Sequence, residues 1–568
     1  MSHQIPTKRI LVASLITWGC QTENAFVPEA TVPPSLTVTA PLPATWAATG
    51  PTFVTGEATG LASLTVNEQT VEVESDAFVT TTDLVSGLNV IEVVGTEPDG
   101  DLLFERIGVL AGTFGDPETG LDEALAVRVN EGGLITVMDQ AAESLDADTV
   151  ESAVVTGEPI YEDSYGVWGW DAVEIAAEIM SIEFDAPQLE IDPTDPLLWV
   201  TVAIPNLSVS TLVTGDVVGL EFDIDIETTA PWAVITTALS MEAEDGELVV
   251  ALEDAEISLD GFAYDTSVLP DEVESVLLVE TIQETIEELI LEQMETLLPT
   301  TIESALSELD TSVTVTLMDR PLTIDTEFAE ALVDDDGIEI TMDVDLFMAA
   351  ASSSQTPHVY AGYLTNASTS PDMDHEEELV ISISDDLMNK SLFEAWRSGL
   401  LDLSLSTDDG SLESDVMDSL HADGGSITLY PQLPPVLIPS SSGDKLLLQL
   451  GEILAVVDTP GGDLGDRITI AAHVEAEVDL GVEDGAISLS VDEYDITIVV
   501  RDSDWGASDE AITMVLEEAL PIDSLLASID SLSIDLPTLY GVGIAEADVD
   551  RTTSTGHSLV NVDLERDE

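Results

Sequence analysis

The sequence predicts an α+β chain: one all-β unit near the N-terminus, then two copies of a strand–helix–sheet–helix–strand order on either side of a linker. Three observations predict it. Runs such as "GLEFDIDIE" set Leu220, Phe222, Ile224 and Ile226 on one face and Glu221, Asp223, Asp225 and Glu227 on the other, the period-two pattern of a sheet with one dry face. Residues 271–309 carry Ile282, Ile286, Leu289, Met294 and Leu297 in a helical stripe, with Pro299 placed to kink or interrupt it. The same order of elements recurs after residues 351–376, "ASSSQTPHVYAGYLTNASTSPDMDHE", where Ser, Thr and Pro leave no period.

At 568 residues the chain has room for three or four domains of roughly 150 residues each. Hydrophobic residues make up 44%, enough for a large core. Lys and Arg number 12 against 114 Asp and Glu, a formal net charge of -102. Nucleic acid and anionic headgroups need cationic partners, so such a surface repels both. Dense carboxylate suits high or marine salt, where screening shortens self-repulsion to a few ångströms. The alternative, a calcium-loaded surface, finds no stretch with EF-hand spacing.

The elements follow in order. Residues 1–19 pair Lys8 and Arg9 with the short apolar run "ILVASLITWG", the layout of a secretory signal. Its Gly19-Cys20 end resembles a bacterial lipoprotein signal, which implies lipidation of Cys20, the single cysteine. Thr17 and Trp18 depart from that pattern. Residues 20–35 are a Pro- and Thr-rich tether. Residues 36–113 alternate in short runs broken by Asn, Gly and Asp-Gly, the pattern of antiparallel strands and turns. The landmarks "TVNEQTVEV", Phe78, "DLVSGLNVIEV" and "PDGD" resemble bacterial Ig-like domains, which implies a β-sandwich acting as a spacer.

The first copy spans 118–350. It opens on "ALAVRVNEGG" and a helix with Leu134, Met138, Ala141 and Leu145 on one face. The second spans 377–566. It opens with strand 379–383, helix 385–398 and strand 400–405. It closes with the helical stretch "SDEAITMVLEEAL", carrying Ile512, Val515, Leu516 and Ala519 on one face, and then "LPTLYGVGIAEADVD". No later segment holds 18 uninterrupted apolar residues, so no transmembrane helix is expected.

Four stretches, in order, resemble the family of bactericidal permeability-increasing, lipopolysaccharide-binding and cholesteryl-ester-transfer proteins, within the tubular lipid-binding superfamily. They are "AVRVNEGGLITVMDQAAESL", "VISISDDLMNKSLFEAWRSGLLDLSL", "SITLYPQLPPVLIP" and "SIDLPTLYGVGIAEADVD". The resemblance implies two tandem tubular domains in a boomerang with pseudo-two-fold symmetry, each a twisted antiparallel sheet wrapped on a long helix. It also implies acyl chains held in apolar tunnels between helix and sheet. On that reading Leu134, Met138, Ala141, Ile282, Ile286, Leu289, Leu392, Trp396, Ile512 and Leu516 are candidates to line lipid; the same stripes also serve as ordinary core. Two departures stand out: no cysteine exists for the family's disulfide, and no cationic tip exists for endotoxin.

Chemistry-bearing motifs are absent. The six histidines are scattered without metal spacing, and no G-x-S-x-G elbow, Walker loop or dinucleotide fingerprint occurs. Trp168 and Trp170 suit strand packing or a carbohydrate platform. The expectation is therefore a non-enzymatic, monomeric lipid-binding or lipid-transfer protein of the bacterial envelope. Its partners are a lipid ligand and, through Cys20, a membrane; it needs no cofactor or metal and takes no nucleic acid. The alternative is a structural or adhesive surface lipoprotein with filled cores.

Overall fold

The computed structural model describes residues 33–142, 147, 150–151, 159–167, 170–217, 220–265, 279–307, 309, 313–317, 320–348, 360–366, 373, 377–412, 414–440, 445–462, 465–483, 485–505, 509–530, 533–536, 539, 542–551 and 556–566. The signal segment, Cys20, nearly all of the tether and most of the 351–376 linker lie outside the described residues.

Two facing sheets make the N-terminal unit. One runs Ser35–Ala40, Gly50–Thr59, Ala77–Leu84, Val73–Glu74. The other runs Thr45–Ala47, Leu102–Ala111, Gly87–Thr96, Ser63–Val66, Gln69–Val71. Val54, Leu64, Phe78, Ile91, Val93, Ile107 and Val109 fill the space between them. Asn67 and Glu68 take positive φ in the two-residue turn joining Ser63–Val66 to Gln69–Val71, the twist that a tight hairpin needs.

A seven-stranded central sheet unites the rest of the chain. Its order is Val313–Leu317, Arg320–Val333, Gly337–Met348, Leu121–Asn130, Leu379–Ser384, His557–Arg566, Val542–Asp550. The halves of the chain meet where Leu121–Asn130 pairs antiparallel with Leu379–Ser384. That second strand, "LVISIS", is buried at every position, which is why it reads as a continuous run rather than an alternation.

Each half adds a wing. In the first wing the long antiparallel strands Trp170–Glu183, Leu197–Val217, Leu220–Glu244 and Glu247–Asp260 lie side by side. Asp245 and Gly246, both at positive φ, make the hairpin turn before Glu247. In the second wing Leu446–Asp458, Arg467–Glu483 and Ala486–Ser503 form the body of the sheet. One contiguous apolar core runs through the central sheet and both wings.

The expected α+β class with two tubes is not what the chain forms. Among the described residues 62% lie in strands and 16% in helices, and no sheet wraps a long helix. The long helix Val279–Ser307 instead lies beside Glu247–Asp260, the outer strand of the first wing. A helix enclosed by a sheet must be apolar around its circumference. This one buries the single row Ile286, Ile290, Met294, Leu298 and Ile302 and turns Glu284, Glu288, Glu292 and Glu295 to water. It runs through Pro299 without a break. The boomerang symmetry fails too. Where the first half has one long helix, the second has two short ones, Asp509–Ala519 and Ile522–Asp530, separated at Leu520-Pro521.

Cations are distributed as unevenly as they are scarce. No Lys, Arg or His occurs between Arg128 and Arg320, which embraces the whole sheet of the first wing and its long helix. Arg128, Lys390, Arg397, Arg501 and Arg551 are instead held by carboxylates at the central sheet and at the junctions between units.

Candidate functional site: apolar seams and a buried central helix

Three separate places hold the residues singled out from sequence. The first is the seam of the first wing. Helix Glu131–Ala142 buries Leu134, Val137 and Met138 and touches both the long helix and the central strands Leu121–Asn130 and His557–Arg566. Ile286 is buried and Leu289 half-buried along the long helix. Ala141 and Ile282 fall within these two helices, but their side chains lie outside the described residues. The i, i+4 row continues through Ile290, Leu298 and Ile302, which the sequence reading passed over although their spacing declares them. Between this helix and the outer strand an open cleft of about 700 Å³ is lined by Val250, Leu252, Glu253, Asp254, Glu295 and Pro299, among others.

The second place is helix Asp385–Arg397, which carries Leu392 and Trp396. Ser384 caps it, accepting from the Leu387 N–H at 3.1 Å, with Asp385 and Asp386 in the first turn and Arg397 in the last. Nearly all of it is buried, charges included. The Lys390 Nζ donates to the Thr119 carbonyl at 2.6 Å and reaches Asp345 at 3.4 Å. Glu394 accepts from the Met348 N–H at 3.2 Å and from Arg397 at 2.8 Å. Burial raises the Glu394 carboxyl above its ordinary range against the pull of Arg397. Trp396 donates through Nε1 to the Pro431 carbonyl at 2.7 Å, and its ring lies 5.5 Å from Phe393, 6.1 Å from Trp46 and 6.3 Å from Tyr360. Leu392 and Trp396 are thus packed by protein on every side.

The third place is helix Asp509–Ala519, where Ile512 and Leu516 pack against Ala486–Ser503. All three places join one core, yet they are not brought to one site.

Sequence reasoning missed the junction between the N-terminal unit and the second wing. The Gly108 N–H donates to Glu452 Oε1 at 2.6 Å, and Arg501 donates to both Glu452 oxygens at 3.0 and 3.1 Å and to the Arg106 carbonyl at 2.8 Å. Gln449 Oε1 accepts from the Leu88 N–H at 2.8 Å. His473 lies beneath, its Nδ1 accepting from the Glu452 N–H at 3.3 Å. The approach is so close that a Cβ on Gly108 would lie 2.9 Å from both Glu452 Cγ and His473 Cε1. Gly108→Ala is therefore expected to loosen the docked unit, at about 1–3 kcal/mol of overpacking. Faster protease cleavage between residues 112 and 120 would register it; an unchanged digestion rate would contradict it. No local signal in the sequence marks this junction, because its partners lie more than 300 residues apart.

Ser382 Oγ and His557 Nδ1 stand 3.1 Å apart, but both are buried, and the nearby Asp385 is held by Arg551. Among the described residues no group of three His, Cys, Asp or Glu side chains is placed to hold a metal ion. Trp168 lies outside the described residues, as does the side chain of Trp170.

No family model matches the chain, and no curated protein does. Among solved structures the chain is similar to a lipopolysaccharide binding protein, over 78% of this chain and 100% of that one, at 12% identity and a TM-score of 0.42. A likeness of that size fixes neither fold nor ligand.

Proposed function

We propose that the chain is a non-catalytic lipid-binding protein of the bacterial cell envelope, tethered through Cys20. Its acyl-chain site is the seam between the long helix and the sheet of the first wing. The observation that carries the reading is the seam itself. A helix of 29 residues, about 43 Å long, lies along the outer strand of the sheet and buries one apolar row. Parting that row, which runs about 24 Å from Ile286 to Ile302, would expose an apolar trough long enough for much of an acyl chain. Ten acyl methylenes transferred into it would gain about 8 kcal/mol before association costs. The ordered resemblance of four sequence stretches to lipid carriers supports the same reading.

A second reading, an acidic envelope scaffold with filled cores, is favoured by one observation. The seam row from Ile286 to Ile302 is at most 3% exposed, so the seam is closed by side chains as it stands. Solvent extraction and mass spectrometry of purified protein, with uptake of a fluorescent phospholipid, separate the two. The lipid reading expects bound lipid, and uptake that falls at least about tenfold in Met294→Asp, since a carboxylate in an apolar site is strongly penalised. Protein free of lipid that takes up no phospholipid leaves the scaffold.

A further inference from the structure

The junction between the N-terminal unit and the second wing encloses a cluster of ionisable groups that the lipid seam does not use. His473 and Glu452 are both buried there. His473 sits on Arg467–Glu483 opposite the break in register between Leu450 and Ile453, and in that break Glu452 takes a φ of 49°. A β-bulge re-aims a side chain, and a non-glycine residue at positive φ is a strain that its surroundings must enforce. Here it turns Glu452 toward the docked unit: Oε1 accepts from the Gly108 N–H at 2.6 Å and lies 3.9 Å from His473 Nε2. That nitrogen is buried with no hydrogen-bond partner among the described residues.

Charged groups reach the ring from both sides. From the second wing they are Glu452 on Leu446–Asp458 and Arg501 on Ala486–Ser503, where the residue paired with His473 is the uncharged Thr497. From the N-terminal unit Leu102–Ala111 brings Arg106 and, almost in contact, Gly108. Arg106 is held by Glu92 at 2.7 Å, and Arg501 lies 3.5 Å from Glu105, so both guanidiniums are fixed at the junction. Glu475 accepts from the Gln449 amide at 2.7 Å. A proton arriving on His473 therefore enters a dry cluster that already holds two arginines, and the one buried carboxylate is engaged by Arg501 and Gly108. Lifting the unit away removes Gly108 and Arg106 and lets water reach the ring.

We propose that this cluster is an acid-operated latch: protonation of His473 releases the N-terminal unit from the second wing, and both stay folded. The unit keeps its fold because its core, built on Val54, Phe78, Ile91 and Val109, is separate from the core of the wings. Burial, and then Arg501 and Arg106, hold the docked imidazole down at about 3, whereas a ring in water titrates near 6.5. A histidine lowered in the docked form favours docking fully above 6.5, and that support is lost as pH falls toward 3. Between pH 8 and pH 5 it shifts the undocking equilibrium by about thirtyfold. Glu452, raised by its own burial, pulls the other way on acidification. So does the surface as a whole, because protonating carboxylates reduces the self-repulsion of a chain with a net charge of -102. Release by acid is thus opposite in sign to the general charge effect. The inference does not rest on lipid binding, and holds for a scaffold equally.

Hydrogen exchange of the full chain at pH 8 and pH 5, corrected for the intrinsic pH dependence of exchange, tests it. The amides of Leu88 and Gly108 donate across the junction, to Gln449 and Glu452. In the parent they are expected to lose about tenfold or more of their protection at pH 5, while those of 52–58 and 78–83 in the unit and 468–480 in the second wing keep theirs. In His473→Gln, which cannot take the proton, Leu88 and Gly108 should be equally protected at both pH values. Should the glutamine itself prevent docking, both amides are labile already at pH 8, and His473→Met serves as the neutral comparison. Unchanged protection of Leu88 and Gly108 in the parent, the same loss in the neutral variant, or a loss shared equally by the unit's own strands overturns the proposal.

Discussion

Arg551→Met is expected to destabilise the centre of the molecule by about 3–5 kcal/mol, the largest single-residue effect anticipated in this chain. Arg551 follows strand Val542–Asp550 and grips Asp385, the first residue of the buried helix, with both guanidinium nitrogens; one contact is 3.1 Å. It also donates to Ser558 Oγ at 2.7 Å. The side chains are 5% and 0% exposed. Removing the guanidinium leaves a carboxylate with no access to water, and that stranded charge dominates the cost. Replacing both partners, Asp385→Leu with Arg551→Met, should recover most of the loss, because an apolar pair owes no desolvation. Urea midpoints in about 2 M salt, read by tryptophan fluorescence with m unchanged, would measure both. A single variant within about 1 kcal/mol of the parent would show the pair to be far weaker than its burial implies.

The second large effect is acid sensitivity at His473. Burial drives its imidazole down from 6.5 to about 3, and Arg501 and Arg106 push the same way. Its Nε2 has no hydrogen-bond partner and lies 3.9 Å from Glu452 Oε1, so at neutral pH that contact is not an ion pair. The unfolded chain protonates this group near 6.5 and the folded chain resists until about 3. The stability it contributes is complete above pH 6.5 and is lost as pH falls toward 3. At pH 5 the loss is about 2 kcal/mol. Glu452 acts in the opposite sense. Burial raises its carboxyl above 4.5 against the pull of Arg501, so it favours the folded state on acidification and gives that back as pH rises. Comparing the parent with His473→Gln between pH 7 and pH 5 isolates the histidine. The parent should lose stability more steeply, and parallel profiles would mean that the ring titrates normally in the folded state.

Alternating strands were the most legible part of the sequence. The wet and dry faces of 221–227 and the Asp245-Gly246 turn lie where period and turn chemistry put them. The helix starting at residue 385 and the stripe Ile512, Leu516 and Ala519, all buried, were equally readable. These are short-range properties, set by neighbours within one turn or one hairpin. The class and the site were not so legible. A stripe such as Ile282, Ile286, Leu289 says that a helix has an apolar side, but not whether one sheet or several surround it; the glutamates at 284, 288, 292 and 295 held that answer. Lys390 and Glu394 look like solvated helix charges until Thr119, Asp345 and Met348 are brought to them from far along the chain.

The gap in basic residues between Arg128 and Arg320 also governs how the polypeptide can be cut. Trypsin needs Lys or Arg and passes over one followed by proline, and Arg320 precedes Pro321. A complete tryptic digest should therefore release everything from Val129 to Lys390 as one very large acidic fragment, carrying the entire first wing with half of the central helix attached.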